Sequence, residues 1–340
     1  MQKESSAPVE IVWNENKAVE IILSNPSILD LTDKKLQSTM KVELGDTGEP
    51  MLGQFFKRDG SVVFQPVVPF TRGMHYHVLV NDIILAELNI PLDESARTPE
   101  LSIYPSVDTV PENILKMYLR FSEPMVEGNS LAHIHLLNSK GDTVQGTFLD
   151  LQPELWNTEG TMLTLWFDPG RVKRDLIPNQ ELGNPIFKNQ EYTLVVNGDW
   201  KSKAGKVIGK VVSKTFQVKD RNEKMLTIDF WDINLPLGNT QDKLVIDFNE
   251  SLDYSLIQST IQIKNQQNNL MEGDFSVLEN ERGIQFIPKE KWRKNTYTLE
   301  VETKLEDLAG NNLLRPFDRD ITKVSAPTEK KYVQRNFEIQ

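Results

Sequence analysis

Cysteine is absent from the 340 residues, which excludes disulfide staples, thiol nucleophiles and cysteine-ligated zinc together. Histidine is scarce, at four, so imidazole chemistry is confined to very few places. Positive charge is in deficit: 38 Lys and Arg against 49 Asp and Glu leave a formal net charge of -11. That balance argues against a general nucleic-acid or anionic-membrane binder. No apolar run approaches the roughly 20 residues that a membrane-spanning helix needs. The opening segment MQKESSAPVE lacks the basic start and apolar stretch of an export signal. Met1 is expected to stand where a removed signal ended, with a lipid anchor as a natural accompaniment of such a signal. Catalytic signatures are missing too: no Gly-x-Ser-x-Gly elbow, no His-Glu-x-x-His and no Walker loop occurs.

What the chain does contain is one pattern, three times. An alternating strand leads to a Gly step: Met51-x-Gly53-x-Phe55, Val144-x-Gly146-x-Phe148 and Met271-x-Gly273-x-Phe275. An aromatic-x-Pro corner follows, at Phe64-x-Pro66, Phe167-x-Pro169 and Phe286-x-Pro288. A second aromatic (Phe70, Phe187, Trp292) precedes a closing strand that begins at Tyr76, Tyr192 or Tyr297. The first and third copies also share Gln-Ser-Thr, followed by Met40-Lys41-Val42 and Ile261-Gln262-Ile263. Self-similarity at this period signals repeated domains.

Three units of about 100 residues fit the length, and each is large enough to bury a core unaided. Helical periodicity is weak, restricted to one or two turns over 27–38 and one near 254–257. Short alternating runs such as Leu115-x-Met117-x-Leu119-x-Phe121 dominate, punctuated by Gly, Pro, Asn and Asp. The expected fold class is therefore all-β, with three tandem Ig-like or fibronectin-like sandwiches. Their expected bounds are 1–98, 99–219 and 220–325, with a final strand near 317–322 and a tail at 326–340 that is loose or packed locally. The segment from Leu92 to Glu100 reads as a linker. The second unit alone carries an inserted loop, 170–186, between its corner and its closing strand.

The run from Pro105 to Met125 holds a Val-Pro-x-Asn turn at Val110–Asn113 and a strand ending in Phe121-Ser-Glu-Pro-Met125. The third unit pairs Tyr297-Thr-Leu-Glu-Val301 with Asp307-x-Ala309-Gly310-Asn311. These motifs resemble bacterial Ig-like domains of the SbsA type, named after a surface-layer protein. The resemblance covers the second and third units, while the first matches only through the internal repeat. Asp168 to Arg174 (DPGRVKR) is similar to a subgroup of envelope proteins that carry such domains. The resemblance implies exported bacterial sandwiches and supplies no catalytic residue.

All four histidines fall in two His-x-His pairs, His75 with His77 and His133 with His135. On a strand, residues two apart share a face, so both imidazoles of a pair can reach one Zn²⁺ or Cu²⁺. Ordinary strand-surface histidines are the plainer account. Asp307 with Gly310 and Asn311 offers oxygens to Ca²⁺, although a hydrogen-bonded turn explains the same residues. In the insertion, Arg171, Lys173 and Arg174 gather three cations within four residues, preceded by Asp168. With Trp156 upstream they suit a carboxylate, phosphate or sugar on a partner, unless they serve only to pin the loop.

The combined expectation is a non-enzymatic protein of the cell envelope or the exterior, without a cofactor unless a divalent metal binds. Its partner would be a protein or glycan at the cell surface. The alternatives are a metal-binding envelope module built on the His-x-His pairs and an accessory polysaccharide-binding protein.

Overall fold

In the computed structural model, residues 9–45, 47–174, 176–318 and 330–340 are described. They contain 21 strands, seven for each copy of the repeat. The first seven are β1 (Val9–Asn14), β2 (Lys17–Leu23), β3 (Met40–Leu44), β4 (Gly53–Arg58), β5 (Ser61–Pro66), β6 (His75–Val80) and β7 (Ile83–Asn89). They form two sheets, in the orders β1-β2-β5-β4 and β3-β6-β7. With the strands lettered A to G in sequence, this is ABED facing CFG, the constant-type immunoglobulin arrangement. Ile21, Phe64 and Leu23 of one sheet pack with Val42, Tyr76 and Val78 of the other in a common core.

The second copy comprises β8 (Leu101–Tyr104), β9 (Thr109–Pro111), β10 (Lys116–Phe121), β11 (Ile134–Asn138), β12 (Met162–Trp166), β13 (Glu191–Val196) and β14 (Val212–Lys219). Its sheets run β12-β10-β8 and β11-β13-β14-β9, with β9 joining β14 in parallel. The third comprises β15 (Asp232–Asn234), β16 (Leu244–Asp247), β17 (Ile261–Lys264), β18 (Gly273–Val277), β19 (Gly283–Pro288), β20 (Asn295–Glu302) and β21 (Tyr332–Ile339). Its orders, β15-β16-β19-β18 and β17-β20-β21, repeat those of the first copy strand for strand.

In the first and third copies the repeated motifs are one packing device, whereas Gly146 of the second sits in a turn at φ +59°. Gly53 pairs with Pro66 across the sheet, and Gly273 with Pro288. A Cβ at Gly53 would collide with the Phe64 ring and lie 2.6 Å from the Gln65 carbonyl oxygen. At Gly273 it would collide with Phe286 and with the Ile287 carbonyl. The missing side chain lets the corner Phe lie flat against the strand, beside the Phe of the Gly step. Ring centroids are 4.6 Å apart for Phe55–Phe64, 5.0 Å for Phe148–Phe167 and 4.7 Å for Phe275–Phe286. From the corner Phe, the stack continues through Phe70 to Tyr76 in the first copy and through Trp292 to Tyr297 in the third.

Each closing-strand Tyr then accepts a backbone hydrogen bond from just upstream. Thr71 N donates to Tyr76 Oη at 3.0 Å, Phe187 N to Tyr192 Oη at 3.2 Å, and Arg293 N to Tyr297 Oη at 2.9 Å. These are tyrosine corners. The shared Gln-Ser-Thr closes the last turn of α2 (Asp33–Thr39) and of α5 (Tyr254–Thr260), the two helices that lead into β3 and β17. Thr39 Oγ1 donates to Lys35 O and Thr260 Oγ1 to Leu256 O, both at 2.8 Å. Two one-turn elements complete the numbering between them: α1 (Pro26–Leu29) lies in the first copy, and α3 (Pro169–Val172) with the longer α4 (Ile177–Leu182) in the insertion.

The last strand lies further along the chain than expected. The tail is packed locally where it is described: β21 pairs antiparallel with β20 along its whole length, from Ile339 opposite Asn295 to Tyr332 opposite Glu302. It takes the G-strand place expected near 317–322, of which residues 319–322 lie outside the described set. Phe187 is 50% exposed, whereas Phe70 and Trp292 are buried; the insertion turns the ring outward and Ile186 is buried beside it. By compactness the chain divides into two units. The first runs to Glu100 and adds Ser122–Val126 and Gly198–Lys210; the second holds Leu101–Phe121, Glu127–Asn197 and everything from Val211.

Candidate functional site

The cations of the insertion are engaged by groups of the loop and of the sandwiches around it. Arg171, only 8% exposed, donates to the carbonyls of Gly146 (2.6 Å), Gly183 (3.0 Å) and Asn184 (3.2 Å). Asp168 caps α3 by accepting from Gly170 N at 2.8 Å. Lys173 Nζ lies 4.3 Å from the centre of the Phe317 ring, a cation–π contact. Arg174 pairs with Glu223 at 2.7 Å and Asp318 at 3.4 Å. Trp156 donates to Glu154, which also receives Gly128 N and Ser130 N. The guanidinium of Arg171 is thus a buried splice for the loop. Sequence reasoning missed the apolar surface that the insertion exposes instead. Ile177 is 69% exposed and Leu182 65%, and α4 buries no side chain.

The two histidine pairs differ. His75 and His77 stand on β6 with ring centroids 4.8 Å apart, edge to face. Glu87 on β7 is in register with His77, and the donor atoms of these three residues lie within 4.8 Å of one another. His133 instead closes a 3₁₀ turn, Ser130–His133, while His135 is on β11. That pair does not share a strand face as expected, because the chain changes conformation between the two rings. His135 Nε2 lies 3.4 Å from Asn197 Nδ2. Among the described residues, only the first pair belongs to a cluster of three or more potential ligands.

Asp307 is buried at the centre of a joint in the second unit. Its Oδ1 accepts from Ala309 N (2.8 Å) and Asn311 N (2.9 Å). Oδ2 accepts from Asn222 Nδ2 (2.7 Å) and Asn311 Nδ2 (2.8 Å). Four N–H donors occupy both oxygens, so the turn reading displaces the Ca²⁺ one. Burial pushes the Asp307 pKa up to about 7, against the pull of its bonds from Asn311. Asn113, the last residue of the Val-Pro-x-Asn turn, exchanges two bonds with the Asn222 backbone. The two sequence signatures therefore meet on one connecting residue.

A second polar cluster joins the same two sandwiches. Tyr118 donates to Asp253, the N-cap of α5, with oxygens at 2.7 and 2.8 Å. Lys116 pairs with Asp253 at 3.1 Å and Glu306 at 2.7 Å. Burial opposes the Lys116 charge, but Asp253 and Glu306 outweigh it and hold the pKa above the ordinary lysine value. Burial and then Asp253 push the Tyr118 phenol far upward, so it stays a donor. Tyr104 and Tyr254 stack with centroids 3.7 Å apart. These contacts explain why Lys116 and Tyr118 are shielded on a strand face expected to meet water.

Beside the joint runs a polar groove of about 350 Å³, lined by Asp108, Lys219, Asn249, Glu250 and Arg282 among others. Its volume suits a small molecule, but its charges are mixed and its walls are not the apolar kind typical of ligand pockets. Burial raises the Glu250 pKa. No pattern in the sequence announced this groove.

Residues 236–323, most of the third sandwich, match the family described as bacterial Ig-like domain. Curated proteins give no match. Among solved structures, the chain is similar to native alpha-2-macroglobulin from Escherichia coli spanning domains MG0-NIE-MG1. Identity there is 11% and the TM-score 0.23, over 59% of this chain and 64% of that one. It is also similar to the N-terminal part of the bacterial S-layer protein SbsC, at 14% identity and a TM-score of 0.25. That likeness covers 61% of this chain and 41% of the other, so the chain spans less than two thirds of either bacterial structure. Extracellular domains 3–5 of Drosophila OTK resemble it over 95% of its length, at 9% identity and a TM-score of 0.18. The matched family, over the third sandwich alone, supports a binding or structural role. No helix of the described residues is long and apolar enough to cross a membrane.

Proposed function

We propose that the chain is a non-enzymatic protein of the bacterial envelope or exterior, in which Ig-like sandwiches carry a surface that contacts a protein or glycan. The carrying observation is the ABED/CFG strand order together with the bacterial Ig-like match at 236–323. The consumption of polar groups by the fold supports the non-enzymatic part. Arg171, Asp253 and Asp307 each spend their charge on partners within the chain. The contact surface is the exposed side of the insertion, around Ile177 and Leu182. Loops on a rigid sandwich are the usual carriers of such contacts.

Two measurements test the reading. Expressed from its full-length gene in a bacterial host, the protein is expected in the envelope fraction or the medium; cytosolic retention defeats the envelope assignment. A photo-cross-linker placed at position 177 or 182 in living cells should give a discrete adduct that the same group at exposed Lys289 does not. Equal adducts at both places, or none at 177 and 182, would remove the insertion as the contact surface.

A further inference from the structure

The outer face of the β3-β6-β7 sheet carries a cluster that the binding role does not use. β6 is the central strand, with Tyr76 and Val78 turned into the core and His75 and His77 turned outward. Glu87 stands directly across from His77 on β7. His77 Nε2 is 3.9 Å from Glu87 Oε1, too far for a hydrogen bond. His75 Nε2 is buried and has no hydrogen-bond partner in the protein. The position of His75 is built in: Gly45 N donates to His75 O at 2.9 Å, and a Cβ at Gly45 would come within 2.8 Å of His75 Cδ2. Three donors thus converge without satisfying one another, and an orphaned buried ring nitrogen is what a bound cation would relieve. Across the other flank, Glu43 faces His77 but is engaged by Lys41 at 3.3 Å.

We propose that His75, His77 and Glu87 bind a borderline divalent transition-metal ion of the Zn²⁺ type. Two imidazole nitrogens and one carboxylate oxygen favour zinc, copper or nickel over Ca²⁺ and Mg²⁺, which take oxygen sets. Around a tetrahedral ion with bonds of about 2.1 Å, donors stand roughly 3.4 Å apart. The donors, all within 4.8 Å of one another, therefore close by at most roughly 1.4 Å, within reach of side-chain rotations. The Glu87 side chain is 57% exposed and free to rotate. Three protein ligands leave a fourth position open to water or to a donor from a partner. The ion would also clip β6 to β7. This site is independent of the contact surface on the insertion, and its test does not depend on that reading.

The full chain titrated with Co²⁺, a spectroscopic stand-in for Zn²⁺, should develop visible d–d absorption that saturates at one equivalent and is abolished by competing Zn²⁺. Zn²⁺ should also raise the melting temperature. H77Q and E87Q should each weaken binding at least tenfold, while H135Q leaves it unchanged. Glu87 is exposed, so E87Q keeps the fold and guards against a trivial loss through misfolding. Absence of saturable Co²⁺ absorption, binding that survives both H77Q and E87Q, or loss of binding in H135Q would each overturn the site.

Discussion

At the scale of single residues, hydroxyl and carboxylate groups tie loops to strands. Tyr297 Oη both accepts from Arg293 N and donates to Arg293 O, whereas Tyr192 Oη receives one bond, from Phe187 N. Removing the hydroxyl leaves a shielded backbone group unpaired, which costs about 1 kcal/mol per bond. Y297F should therefore lose more stability in urea unfolding than Y192F, with midpoints the direct readout. Asp307 gives a pH signature. Its folded pKa of about 7 stands above the ordinary 3.8, so the folded protein holds this proton more tightly than the unfolded chain. The stability it contributes is full below about pH 4 and declines as the pH rises towards 7. D307N, permanently neutral, should flatten that part of the stability–pH curve, and an unchanged slope would place the titration elsewhere. The tyrosine corners were legible in sequence because each Tyr opens a hydrophobic strand. The fate of Arg171 was not, since its partners are carbonyl oxygens that any residue supplies.

At the scale of elements, the repeated Gly, Phe and Pro positions form one joint between neighbouring strands in the first and third copies. G273A would press a methyl against the Phe286 ring and the Ile287 carbonyl, forcing β18 away from β19. Overpacking of this kind costs roughly 1–3 kcal/mol. A similar loss is expected for G53A in the first copy, and thermal melting of both variants measures it. Alternation and landmark order were enough to read the fold class and the repeat. They failed at β21, where only Phe337 and Ile339 are buried and polar residues fill the remaining outward positions. An edge strand with so few core residues reads like a solvated tail. The outward histidines of β6 were legible because strand period two puts them on one face. Glu87 was not, because its alignment with His77 depends on the β6–β7 register, which bulges between Val78 and Leu79.

At the scale of the whole molecule, the second unit contains two sandwiches tied by buried polar bonds rather than by a free hinge. The segment expected as a boundary, 219–222, includes Asn222, which bonds to Asn113, Asp307 and Asn311. Gly310 admits Leu115 at a point where a Cβ could not fit, and Leu115 N donates to Leu308 O at 3.0 Å. Calorimetry should find these two sandwiches unfolding in one cooperative transition. N113A removes both side-chain bonds to the Asn222 backbone, so that transition should broaden or divide. A single transition of unchanged width in N113A would show that the remaining contacts of the joint suffice.

β21 returns to its sheet only after the chain has travelled from Glu302 to Tyr332, yet it then pairs with β20 along its full length. Because the entropy of closing a tether grows only slowly with its length, the covalent link still holds β21 near its place at an effective concentration on the order of millimolar. Reciprocal strand exchange between two copies would therefore compete only where the protein itself is refolded at a comparable concentration.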